Sequence, residues 1–98
     1  MKKLLVLSML IIAGCATNNE PLDAIINAET TLKEAIDMGF AESSPNNYDK
    51  TQKLITKAKI LNSRNKIRDA KETADKANRL AEDFIIHIER YQRQRDRN

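Results

Sequence analysis

Residues 67–91 read Ile67-Arg68-Asp69-Ala70-Lys71-Glu72-Thr73-Ala74-Asp75-Lys76-Ala77-Asn78-Arg79-Leu80-Ala81-Glu82-Asp83-Phe84-Ile85-Ile86-His87-Ile88-Glu89-Arg90-Tyr91. Within them, Ile67, Ala70, Ala74, Ala77, Ala81, Phe84, Ile88 and Tyr91 recur at steps of three and four. On an α-helix that spacing makes one stripe, the seam of a helix lying nearly parallel to a neighbour. Four consecutive seam positions are Ala, which lets backbones approach closely where Leu or Ile would hold them apart. The pattern predicts a helix from Asn65 to near Arg97, roughly 50 Å long at ~1.5 Å per residue. Glu72–Lys76 and Asp75–Arg79 are i,i+4 pairs in the favourable order, each worth ~0.2–0.5 kcal/mol on a solvated face.

Its expected partners lie upstream. After Pro21, the residues Leu22, Ile25, Ile26, Ala28, Leu32, Ala35 and Ile36 form an apolar face at helical spacing. Asp23 sits in the first turn, where negative charge suits a helix N-terminus. Gly39 stops this helix as a C′ glycine would, and residues 40–44 read as a connector. Ser44-Pro45 then signals a start: Ser44 suits capping, and Pro45 suits a first position whose N–H has no partner. The second helix carries Tyr48, Thr51, Leu54, Ile55, Ala58 and Leu61 on one side, with Lys50, Lys53, Lys57 and Lys59 over the rest. Asn62-Ser63-Arg64-Asn65 reads as the next turn.

The expected fold is therefore all-α, a small up-down-up three-helix bundle with a long C-terminal helix. Composition agrees, with two Phe, two Tyr, no Trp and many strong helix formers. The bundle domain is placed at 22–84 and a protruding basic helix end at 85–98. Phe84-Ile85-Ile86-His87-Ile88 is apolar beyond the width of one seam, and so large a bare patch calls for a cover. Helix 1, the preceding tether or a second copy could supply it, so a homodimer through Phe84–Ile88 is one candidate.

The start of the chain has a different character. Met1-Lys2-Lys3 is a short basic segment, followed by an apolar run from Leu4 to Ile12 interrupted only by Ser8. A permanent membrane span needs ~20 apolar residues, so this run suits a secretory signal instead. It ends in Ile12-Ala13-Gly14-Cys15, which resembles the lipobox of bacterial lipoproteins. The resemblance implies a signal peptide at 1–14, with Ile12, Ala13 and Gly14 recognised by the signal peptidase. Small side chains at 13 and 14 fit its cleft. The Cys15 thiol would accept diacylglycerol, and its freed amine a further acyl chain such as palmitate. Two or more chains anchor stably where one holds only reversibly. Residues 15–21 then form a lipidated tether. Ala16, with no Asp there, implies sorting to the outer membrane of a Gram-negative cell, facing the periplasm.

Further segments carry a second resemblance: Met38-Gly39-Phe40-Ala41 with Ser44-Pro45, the run Gln52-Lys53-Leu54-Ile55-Thr56-Lys57-Ala58-Lys59, then Asp69-Ala70-Lys71, Ala74, Lys76-Ala77 and Leu80-Ala81-Glu82. Together they resemble domain of unknown function 4398, a helical module of small Gram-negative lipoproteins that is sometimes joined to a peptidoglycan-binding domain. The likeness spans roughly 22–84, and Asn65-Lys66-Ile67-Arg68-Asp69 replaces the usual Gly-Asp-Tyr-like turn. It implies a fold and a location, and it brings no catalytic residues. The murein lipoprotein shares the small size, lipid anchor and Ala-containing heptads. Gly39 and Pro45 depart from its unbroken helix, and Arg97-Asn98 from its terminal Lys.

The remaining chemistry is sparse. Without Lys2 and Lys3, fifteen basic side chains face fourteen acidic ones. That near balance does not suggest nucleic acid, which calls for a clearly basic face. A single Cys excludes an internal disulfide. His87 is the only His, and with Asp83 one turn away it reads as a surface pair in place of a metal site. There is no Gly-rich phosphate loop and no nucleophile set. No enzyme, no metal and no cofactor beyond covalent lipid are expected. Two functional expectations remain. One is a membrane-tethered helical module that presents a surface to another envelope protein. The other is a spacer touching peptidoglycan through Arg90, Arg93, Arg95 and Arg97. Replacing Cys15→Ser is expected to abolish labelling by a fatty-acid analogue and to leave an unprocessed precursor; undiminished labelling of the variant would refute lipidation at Cys15.

Overall fold

A computed structural model describes residues 20–97. The protein is all-α, with four helices and no strand among the described residues: α1 (Glu20–Asp37), α2 (Phe40–Ser43), α3 (Pro45–Ser63) and α4 (Ile67–Arg97). Residues 1–19, the expected signal peptide and most of the tether expected at 15–21, lie outside the described residues, and Glu20 and Pro21 of that tether belong to α1 instead.

Contacts between distant residues set the helix directions. Thr31 Oγ1 of α1 donates to Asn78 Oδ1 of α4 at 2.6 Å. Further along both chains, Phe40 meets Phe84 with ring centroids 4.8 Å apart. Helices α1 and α4 therefore run the same way. Helix α3 runs against them: Lys59 pairs with Glu29 at 2.8 Å, while Leu54 and Leu80 line one groove and Leu61 and Asp69 another. Helix α4 packs along both α1 and α3, which meet each other over a smaller area.

Alanines set how closely the helices pack. Ala70, Ala74, Ala77 and Ala81 of α4 are fully buried, as are Ala28 and Ala35 of α1 and Ala58 of α3. Side chains this small allow axes to approach toward the short end of the usual 8–10 Å range, about 8 Å. Ile25, Leu32 and Ile55 fill the remaining space, and Phe84 and Ile85 complete the α4 side. The whole buried cluster comes from residues 24–85, so a chain beginning at Cys15 carries every member of it.

Several expectations need correction. The 40–44 connector is mostly helical: Gly39 adopts φ 94°, and α2 begins at once with Phe40. Phe40 is fully buried and lies edge-on to Tyr48, ring centroids 6.0 Å apart. Ser44 stands at the N-cap of α3 but makes no side-chain capping bond. Its carbonyl instead accepts from Tyr48 N at 2.9 Å. Asn62 and Ser63 belong to α3, and α4 starts at Ile67. Between them Asn65 adopts φ 65°, Lys66 N bonds Leu61 O at 2.9 Å, and Asn65 N bonds Asn62 O at 3.0 Å. That is a Schellman ending with Asn in the left-handed position glycine usually takes.

The apolar face of α1 is also narrower than expected. Leu22 and Ile26 are 43% and 49% exposed and Ile36 is exposed too, while Pro21 and Ala24 turn inward. Asp75 pairs with Lys71 at 3.6 Å in place of Arg79, and Glu72 joins none of the ion pairs among the described residues. All three pairs are about half exposed or more, so each adds at most ~1 kcal/mol. At the packed seam, enlargement should matter far more. Ala74→Leu overpacks a fully buried site and is expected to cost ~1–3 kcal/mol. For a domain this small that lowers the thermal midpoint by at least about 4 °C. Arg79→Leu, at an exposed position of the same helix, should leave it nearly unchanged. Equal midpoints for the two variants in a melting curve would mean the seam tolerates bulk.

Candidate interaction surface

Among the described residues the interior holds few polar groups. Thr51 is the buried polar side chain of the core, and its hydroxyl is satisfied by Asn47 O at 2.7 Å, one turn back in its own helix. Among the described residues no buried side-chain polar atom lacks a partner. A groove of about 620 Å³ opens widely to solvent along α3. Four of its five charged side chains face one another, Lys53 with Asp49 at 3.0 Å and Lys59 with Glu29. Asp83 and His87 are both exposed, and among the described residues no three His, Cys, Asp or Glu side chains gather as metal ligands. No helix there is long and apolar enough to cross a membrane.

What remains is surface, and the helix directions divide it into two ends. Glu20 of α1 shares a groove with Ile67 and Arg68, so the start of α1, the end of α3 and the start of α4 meet at one end. The aromatic cluster of Phe40, Tyr48 and Phe84 closes the other. Helix α4 continues past that cluster. Residues 89–97 are all exposed and extend on the order of 13 Å at the usual helical rise.

The seam residues fall accordingly. Ala70, Ala74, Ala77, Ala81 and Phe84 pack inward, but Ile67 is 42% and Tyr91 54% exposed. Both lie on or beside the stripe, and both stand where a partner helix has begun too late or ended too soon. The stretch Phe84–Ile88 does not form one bare patch either. Phe84 and Ile85 are buried, Ile88 packs partly on the core, and Ile86 is 41% exposed on the outer side. A second copy would find only Ile86 and part of Ile88 there.

At ~100° per residue, Arg90, Arg93 and Arg97 share one face of the arm with Ile86 among them. Arg95 lies across the helix, its guanidinium 5.9 Å from the ring centroid of Tyr91. None of the four Arg joins an ion pair among the described residues. The sequence pattern misses Phe40 as a core residue. Its signal was available, because an apolar residue directly after a left-handed glycine commonly folds back onto the helix it ends. Ile12, Ala13, Gly14, Cys15 and Ala16 lie outside the described residues. Compared with known proteins, the chain matches no family model, no curated protein and no solved structure.

Proposed function

We propose that this chain is a lipid-anchored protein of the outer membrane whose helical domain presents a surface to another envelope protein. The lipobox-like Ile12-Ala13-Gly14-Cys15 supports the anchor, and Ala16 supports the outer membrane as its location. One observation carries the rest: the chain enters the bundle at the end opposite the exposed arm of α4. A domain held at the start of α1 would project that arm away from the bilayer. The arm offers mixed chemistry suited to a protein, with Ile86 as an apolar contact beside three Arg on one face and Tyr91 with Arg95 on the other. The exposed groups of the described surface are what a binding role would use. A photo-crosslinking side chain placed at Ile86 in cells should give one discrete protein adduct. The same probe at Lys33, on α1, should not. No adduct from the arm, or identical adducts from both positions, counts against this reading.

A second reading, a spacer that touches peptidoglycan, draws on the Arg face. Arg binds carboxylates through paired hydrogen bonds, and peptidoglycan stem peptides are rich in carboxylates. Exposed pairs are worth only ~0–1 kcal/mol each, so such binding would be weak, summed and salt-sensitive. Co-sedimentation with purified peptidoglycan should then fall at high salt and on joint replacement of Arg90, Arg93 and Arg97 by Gln. Arg95→Gln, on the opposite side, should have little effect. Binding indifferent to salt and to the triple replacement excludes the spacer.

A further inference from the structure

We infer that the end of the bundle where α1 begins is a docking face for an anionic lipid bilayer, so that the domain stands on the membrane and does not swing from its tether. The inference rests on the proposed anchoring at Cys15. Glu20 lies five residue steps after Cys15, and a chain reaches at most ~3.6 Å per residue. A lipid on Cys15 would therefore hold this end within roughly 18 Å of the bilayer surface.

At that end, aliphatic side chains of several helices are exposed together. Leu22, Ile60 and Ile67 all lie within about one helical turn of it, and each is more than 40% exposed. They belong to three different helices, so no single helix face accounts for their exposure. Beside them, residues 60–68 hold Arg64, Lys66 and Arg68 and no acid. All three cations are exposed and outside the ion pairs, whereas Lys59 and Lys71 on either side are held by Glu29 and Asp75. The facing acids are Glu20 and Asp23 on the α1 side, Asp69 in the first turn of α4, and Glu72, which lines one groove with Glu20, Ile67 and Arg68. The Schellman bonds at Asn65 fix the turn, so its cations and both Ile residues are presented without further ordering.

Exposed aliphatic tips with basic neighbours are the pattern by which proteins rest in a bilayer interface, apolar atoms below the headgroups and cations among the phosphates. Each Lys or Arg near an anionic surface adds ~1 kcal/mol, about fivefold in partitioning. Free in solution this face would bind weakly. Held close by a tether, the same contacts become an intramolecular event at high effective concentration.

The test supplies the tether chemically, so that it does not depend on lipidation in the cell. The chain from Cys15 onward contains the complete buried cluster and a single Cys. Coupling Cys15 to a maleimide lipid places it on vesicles of phosphatidylcholine with or without phosphatidylglycerol. The readout is the acylation rate of individual lysines by a water-soluble amine reagent. Lys66, in the basic turn, should react roughly fivefold more slowly on anionic than on neutral vesicles. Lys50, 13 residues before the end of α3 and about 20 Å away along it, should react equally on both. Joint Ile60→Ser and Ile67→Ser, or joint Arg64→Gln and Arg68→Gln, should each restore the Lys66 rate. All four sites are exposed, so these replacements leave the core intact. Equal Lys66 rates on the two vesicles overturn docking while leaving the anchor reading untouched. Protection that appears on both vesicles and rises with protein density identifies a second copy as the occupant, and also overturns it. Failure of fatty-acid labelling of wild type in cells would instead remove the anchor.

Discussion

The close approach of three helices through fully buried alanines governs the rest of this molecule. Ala28 and Ala35 of α1, Ala58 of α3 and four alanines of α4 leave little space between backbones. Bulky side chains must then sit at the edges of the seam or at its ends. Ile25, Leu32 and Ile55 occupy the edges, and Phe40, Phe84 and Tyr48 gather at one end. Polar chemistry is displaced outward by the same constraint. The buried hydroxyl of Thr51 is satisfied inside its own helix, and Thr31 reaches Asn78 at the margin of the seam.

The turns translate this packing into a molecule with two different ends. Gly39, at positive φ, lets α1 stop and Phe40 fold under within one residue. Asn65 performs the same reversal between α3 and α4. With α1 and α4 parallel, the chain enters at one end and its longest helix leaves at the other. Because α4 is 31 residues long against 18 for α1, the excess is exposed beyond the aromatic cluster. The proposed anchoring and presentation both depend on this polarity, and a bundle with α1 reversed would bring the arm back beside the tether.

The steps of three and four from Ile67 to Tyr91, with Gly39 and Pro45 as breaks, determine by themselves that the chain is helical and where its long helices lie. The proposed anchoring rests on the residue types at 12–16 and on no folded structure. Helical spacing identifies which residues share a stripe, because it follows from local backbone geometry alone. It does not say how far along the stripe a partner extends. Ile67 and Ile85 stand five turns apart on the same line of α4, and only Ile85 is buried, because α1 begins at Glu20. The inward turn of Phe40, the exposure of Leu22 and Ile26, the choice of Lys71 over Arg79 by Asp75 and the division of the four Arg between two faces were all decided in three dimensions. Each depends on where a second helix starts, ends or crosses, and those lengths and angles come from packing.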